Sequence, residues 1–267
     1  MNTKNSTSMC TEMRLSPTAS YLPNPFANRI PLQPATETPF TFIPGMEDIQ
    51  SLKEFCYTSA PFEFRDQSIK ARITRSKGSK LGGKTRYFMH LEMPNGNKFF
   101  LMSAYKRSGS KTSNYLISTE HRDIDKNSDA VIGKLRSNMV GTKFVVYDNG
   151  LSPDSPEALR DYSRIRQEMA LILYETNILG FHGPRKMTLV VPGMDEEKKR
   201  VVVKPMSESE SLSERVSKGA DENLITLENK KPMWNEDTQS FVLNFHGRVT
   251  IASVKNFQVI HKDDRKY

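Results

Sequence analysis

Lys134 and Arg136 stand two residues apart in the segment GKLRSN, Gly133 to Asn138. In an extended segment both side chains leave the same face and Leu135 leaves the other, because successive side chains on a strand alternate. Two cations held close together on a rigid strand suit a multiply phosphorylated ring. Each charge-assisted hydrogen bond to such a group is worth roughly 1.5–3 kcal/mol. Arginine can grip phosphate with two parallel N–H donors, whereas lysine acts as a point charge. The plainer reading is two solvated cations on an edge strand, where lysine is common. Spacing alone favours that plainer reading.

Catalytic chemistry finds little footing. The five histidines, His90, His121, His182, His246 and His261, are scattered. The chain holds no HExxH, GxSxG or GxGxxG pattern. His246 sits in an alternating apolar stretch and reads as a structural histidine. No spaced pair of carboxylates lies in an apolar setting that would tune one as acid and the other as base. The two cysteines, Cys10 and Cys56, have no metal-ligand spacing. They offer no disulfide framework, which fits a reducing cytosolic or nuclear setting. The expectation is a protein that performs no enzymatic reaction and holds no metal and no cofactor.

The elements that must position these residues read as short strands. The first 45 residues hold seven of the fifteen prolines and no sustained periodicity. Residues 1–46 are therefore expected as a disordered, Pro/Ser/Thr-rich tail and 47–267 as the folded domain. MEDIQSLKEF (Met46 to Phe55) reads as a short helix or entry segment. In RYFMHLEM, Tyr87, Met89, Leu91 and Met93 share one face while Phe88, His90 and Glu92 share the other. PNGN then marks a hairpin turn and KFFLMSAY the returning strand. Further strands are expected in SNYLIS, GTKFVVYD, MTLVVPG, KRVVVKP, SFVLNFHGRV and SVKNFQVIH. DSPEALRDYS (Asp154 to Ser163) has the chemistry of a helix start, and Ser207 to Asn223 reads as a charged loop with one helical turn. Many short antiparallel strands with few helices imply a mainly β barrel or sandwich. Apolar runs are about strand length, short of the roughly 20 residues of a spanning helix. The N-terminus has no apolar core of a secretory signal.

Charge is concentrated. The chain carries a net +8, yet Arg65 to Lys111 holds twelve Lys/Arg against Asp66 and Glu92, a local +10. The remainder is about −2. Such a field attracts polyanions: nucleic acid, acidic protein or an anionic membrane leaflet. Lys77, Lys80 and Lys84 are expected to add non-specific attraction, screened by salt, rather than selectivity among anions.

At SKTSNYLIS (Ser110 to Ser118) the chain resembles the tubby family. The likeness continues through IGKLRSNMVGTKFVVYDNG (Ile132 to Gly150) and YETNILGFHGPRKM (Tyr174 to Met187). It is strongest in WNEDTQSFVLNFHGRVTIASVKNFQVIH (Trp234 to His261), and a weaker match extends back to about Lys53. The resemblance implies a closed antiparallel β-barrel around a central apolar helix, and binding of phosphatidylinositol 4,5-bisphosphate and related bisphosphates. The family's headgroup pocket would use Lys134 and Arg136 of the GKLR strand, Arg166 of RQEMALILYE and Asn114 of TSNYLIS. All four identities are present here. His182 stands where the family usually has lysine, which would weaken a peripheral membrane contact. Only KDDRKY follows His261, so the barrel is expected to lack its C-terminal strands and central helix and to be less stable than a complete domain.

The reading that results is a phosphoinositide-binding, membrane-associated adaptor. It would work at the cytoplasmic, inner face of the plasma membrane, and by resemblance in the cilium and nucleus. Its partners would be the anionic lipid headgroup and, through family likeness, ciliary transport machinery and membrane receptors. Residues 1–46 show no clear counterpart of the helix that ciliary members use for transport. The rival reading is a nucleic-acid-binding, transcription-related protein, although the usual recognition motifs are missing. A non-functional truncated product is the third.

Overall fold

Period-two alternation becomes strand where a neighbouring strand completes its hydrogen bonds, and this rule accounts for most of the described strands. The computed structural model describes residues 9–11, 53, 56, 70–77, 85–93, 96–121, 125, 127–175, 186–197, 199–220, 222–237, 239–249, 251, 253 and 255–264. The strands are β1 (Met9–Thr11), β2 (Ala71–Ser76), β3 (Arg86–Glu92), β4 (Lys98–Lys106), β5 (Asn114–Ser118), β6 (Val131–Ser137) and β7 (Lys143–Tyr147). They continue with β8 (Glu168–Tyr174), β9 (Met187–Pro192), β10 (Leu224–Asn229), β11 (Met233–Asn235), β12 (Ser240–Val242) and β13 (Val259–His261). Among the fully described elements are two short helices, α1 (Pro156–Arg160) and α2 (Leu212–Ser217). The protein is mainly β and antiparallel, as expected. Hydrogen-bonded neighbours follow chain order from β1 to β10, with β13 beside β10 and a separate β11–β12 hairpin. No ladder joins β1 to β13 among the described residues, so the described sheet is open rather than a closed barrel. None of the described helices is long and apolar enough to cross a membrane.

The chain divides into two units, residues 1–105 with 117–132, and residues 106–116 with 133–267. In the first, β2, β3 and β4 form a meander with Ala71 opposite Leu91 and Leu91 opposite Phe99. The Asn-Gly signal is realised: Gly96 has φ of +82°, which glycine adopts without strain, and Met93 N–H donates to Asn97 O at 2.9 Å. Leu91 and Leu101 are buried with Met89, Phe99, Met102, Ala71 and Cys56 packed on them. Burial pushes the Cys56 thiol up to about 11, so it stays protonated and unreactive at neutral pH. On the opposite face Phe88 stacks on His121 with centroids 4.5 Å apart. Of the expected tail, Met9–Thr11 pair antiparallel with β2. The remainder of 1–46 lies outside the described residues, as does MEDIQSLKEF apart from Lys53, which is helical.

The second unit builds its core where β7, β8 and β9 lie side by side. Val145, Leu171, Val190, Val203 and Leu212 are buried together, with Tyr147, Leu173 and Val201 packed against them. Leu212 arrives on α2, whose first N–H donates to the buried Glu168 carboxylate at 2.7 Å. Burial holds the Glu168 carboxyl above the usual carboxylate range, and this hydrogen bond offsets only part of that rise. Ser155 caps α1 by accepting from Ala158 N–H at 3.2 Å, and Pro156 opens the helix, as its sequence implies.

Three expected strands fall short. KRVVVKP is irregular: Val201 and Val203 point into the core, yet the segment makes only a bridge at Arg200 and single backbone bonds to Gly193 and Glu168. SFVLNFHGRV is a strand only over Ser240–Val242. His246 then takes φ of +49° and Gly247 +76°, so the supposed strand histidine sits in a turn. SVKNFQVIH pairs only over Val259–His261. In its place β10, LITLEN, supplies a full strand that its sparse alternation did not announce.

Candidate functional site

GKLRSN is extended, as its alternation implied. In β6, Lys134 lies opposite Tyr147, Leu135 opposite Val146 and Arg136 opposite Val145. Directly opposed residues of an antiparallel pair share a face. Lys134 and Arg136 therefore emerge on the face that carries Tyr147 and Val145, beside the core of the second unit, while Leu135 shares the other face with Val146.

The chain leaves β7 through Asp148, Asn149 and Gly150 and returns past α1 to Ile165 and Arg166. Backbone bonds fix this return: Leu151 bridges Ile165, Leu151 N–H donates to Arg164 O at 2.8 Å and Arg166 N–H to Leu151 O at 2.9 Å. Asp148 Oδ1 accepts from Gly150 N–H at 2.9 Å and Gln167 N–H at 3.1 Å. These contacts carry the Arg166 guanidinium over the Tyr147 ring, 4.2 Å from its centroid. Lys134 Nζ donates to Gly150 O at 3.3 Å. Arg166 thus precedes β8 rather than opening it, and a backbone bridge, not a strand ladder, sets its place.

Gly150 is the closest-packed point of the arrangement. A Cβ there would meet Arg166 Cα at 2.4 Å and Arg166 N at 2.5 Å, atoms that cannot swing away as a side-chain tip would. Gly150→Ala is expected to cost about 1–3 kcal/mol of stability, as overpacking usually does. It should also weaken anion binding, since the Lys134 acceptor and the Arg166 backbone shift together. Denaturant unfolding and an inositol-phosphate titration of the same variant check both effects; a parent-like result in both would contradict this packing.

A fourth cation completes the group. Arg107 N–H donates to Asn114 O at 2.8 Å, which joins the end of β4 to the start of β5. Arg107 is close enough to act electrostatically on both Lys134 and Arg136. Lys134 is held below the usual ammonium range by burial first, then by Arg136 and Arg166, with Asp148 opposing and Arg107 adding a little. Arg136 is lowered by partial desolvation and then by Arg166. Among the described residues no carboxylate forms an ion pair with Lys134, Arg136, Arg166 or Arg107. Asn114 Oδ1 is buried with no hydrogen-bond partner among them. A buried acceptor left unpaired is costly, so such an atom is a natural place for a ligand hydroxyl.

The structure therefore groups Lys134, Arg136, Arg166 and Arg107 by mutual charge, and Arg107 is joined through its backbone to Asn114. Sequence reasoning missed Arg107 because it lay inside the long basic run and looked like one of twelve diffuse charges. Its place just before TSNYLIS was the available signal. Chemically, repelling cations with an idle acceptor favour a ligand that brings several negative charges and a hydroxyl. Of the other expected contributors, Lys80, Lys84 and His182 lie outside the described residues.

A family model described as Tub family matches residues 60–267. Tubby-related protein 3 of Mus musculus is 49% identical over 221 residues, covering 82% of this chain and 47% of that protein. Tubby-related protein 2 of Mus musculus is 45% identical over 223 residues, 83% of this chain and 39% of the relative. Protein king tubby of Anopheles gambiae is 46% identical over 199 residues, 74% of this chain and 43% of the relative. The chain thus spans less than half the length of each of these relatives.

Proposed function

This chain belongs to the Tub family, and on that premise we propose that it binds the headgroup of a bisphosphorylated phosphoinositide and acts as a membrane-associated adaptor without performing chemistry. One observation carries the reading. Lys134, Arg136, Arg166 and Arg107 act on one another electrostatically with no ion-paired carboxylate among the described residues, and Asn114 Oδ1 is buried without a hydrogen-bond partner among them. Phosphates would take the cations and an inositol hydroxyl would donate to Asn114. Asp148, tied to backbone N–H groups, sets the loop and offsets only part of the field at Lys134. The family's closed barrel, its attachment to the cytoplasmic face of the plasma membrane, release toward the nucleus and delivery of membrane cargo to cilia all belong to this proposal.

The test is a vesicle panel at equal charge. The 267-residue chain is mixed with phosphatidylcholine vesicles carrying the 3,4-, 3,5- or 4,5-bisphosphate at several salt concentrations. Placed cations should yield an isomer preference that persists as salt rises, although total binding falls. Equal binding to all isomers and to single-stranded DNA, tracking charge and salt alone, would favour the polyanion-surface reading instead.

A further inference from the structure

The turn that follows the cationic strand presents two neighbouring apolar side chains to solvent. Met139 is 83% exposed and Val140 77% exposed. Single exposed apolar residues are ordinary on protein surfaces. These two differ because the backbone holding them is fixed. Asn138 Oδ1 accepts from Thr142 N–H at 3.0 Å and Lys143 N–H at 3.2 Å, and its Nδ2 donates to Thr142 Oγ1 at 2.9 Å. Asn138 N–H donates to Lys143 O at 2.9 Å, and Gly141 closes the turn with φ of +73°. Ser137 N–H donates to Ser113 O at 2.9 Å while its hydroxyl accepts from Ser113 N–H at 3.0 Å, which ties the turn to the loop bearing Arg107 and the exposed Lys111.

The order along β6 is then phosphate-binding cations first and apolar tip last. Met139 follows Arg136 by three residues, at most about 10 Å of chain. Interfacial apolar groups reach about 5–10 Å into the headgroup and acyl boundary. We propose that Met139 and Val140 form a membrane wedge, entering the acyl boundary of an anionic leaflet while Lys134 and Arg136 hold the headgroup of a lipid in that leaflet. The occupant is lipid rather than protein because the tip is flanked by cations, Arg107, Lys111 and Arg136, whose complement is an anionic headgroup layer. This inference rests on the phosphoinositide reading of the site and adds a second contact, with the hydrocarbon instead of the phosphate.

The experiment separates the two contacts. The parent, M139S/V140S and M139W/V140W are each titrated with soluble inositol 1,4,5-trisphosphate and with phosphatidylcholine vesicles containing phosphatidylinositol 4,5-bisphosphate. All three should bind the soluble headgroup alike, which also certifies that they fold. The serine variant should lose about tenfold in vesicle affinity, and the tryptophan variant should match or exceed the parent. Parent-like vesicle binding by the serine variant, with headgroup affinity intact, overturns the wedge and leaves the headgroup site standing. A parent that binds neither soluble headgroup nor vesicles overturns the site itself, and the wedge with it.

Discussion

Replacing Lys134 and Arg136 together with alanine is expected to abolish measurable phosphoinositide binding. Each side chain would give up at least one charge-assisted phosphate contact, a combined loss of roughly 3–6 kcal/mol if the two add. The lower figure alone is more than a hundredfold, at about 1.4 kcal/mol per factor of ten. The fold should tolerate the change. Both side chains repel Arg166 and Arg107, neither forms an ion pair among the described residues, and the one hydrogen bond lost, Lys134 Nζ to Gly150 O at 3.3 Å, is long, so relief of like-charge repulsion offsets it. A vesicle-flotation assay paired with thermal unfolding reads both outcomes. A double variant that floats as well as the parent would place the headgroup elsewhere.

Leu171→Ala should do the reverse. Leu171 is fully buried in β8, packed with Val145, Val190, Val203 and Leu212. Truncating a leucine in such a place typically costs 2–5 kcal/mol through lost burial and the residual cavity, where total stabilities are about 5–15 kcal/mol. The loss should appear as a lower denaturant midpoint with an unchanged slope. Headgroup affinity of the folded fraction should stay near the parent's, because Leu171 belongs to the apolar cluster behind Tyr147 and carries none of the cations. An unchanged midpoint would mean that this cluster is not the core of the second unit.

How much of this was legible beforehand depends on the range of the interaction. The same-face placement of Lys134 and Arg136 followed from alternation alone, since strand geometry is local. The β3–β4 hairpin, where Asn-Gly dictates a positive φ at Gly96, and the helix start at α1, where Asp154 and Ser155 are both candidate caps and Ser155 is the cap, are local in the same way. Arg166 was different. It comes to Tyr147 through a backbone bridge from Leu151 to Ile165, which no periodicity encodes, and only family likeness had pointed to it. Arg107 was hidden by its own neighbours, because a run of cations gives no sign of which one turns inward. KRVVVKP shows the opposite error. Its valines do reach the core, but burial of side chains does not require a ladder, and the backbone finds isolated partners instead. His246 misled for a similar reason: alternating residue types surround it, yet an Asn-Phe-His-Gly turn interrupts the strand, with Asn244 Oδ1 accepting from His246 N–H at 2.7 Å.

The most direct test of the central claim is a calorimetric titration of the 267-residue chain with soluble inositol 1,4,5-trisphosphate. It should be run at several salt concentrations, with inorganic triphosphate as the highly charged control. A headgroup site built from mutually repelling cations predicts one saturable site and a clear preference over the control. Equal heats for inositol phosphate and triphosphate, vanishing together as salt rises, would contradict it.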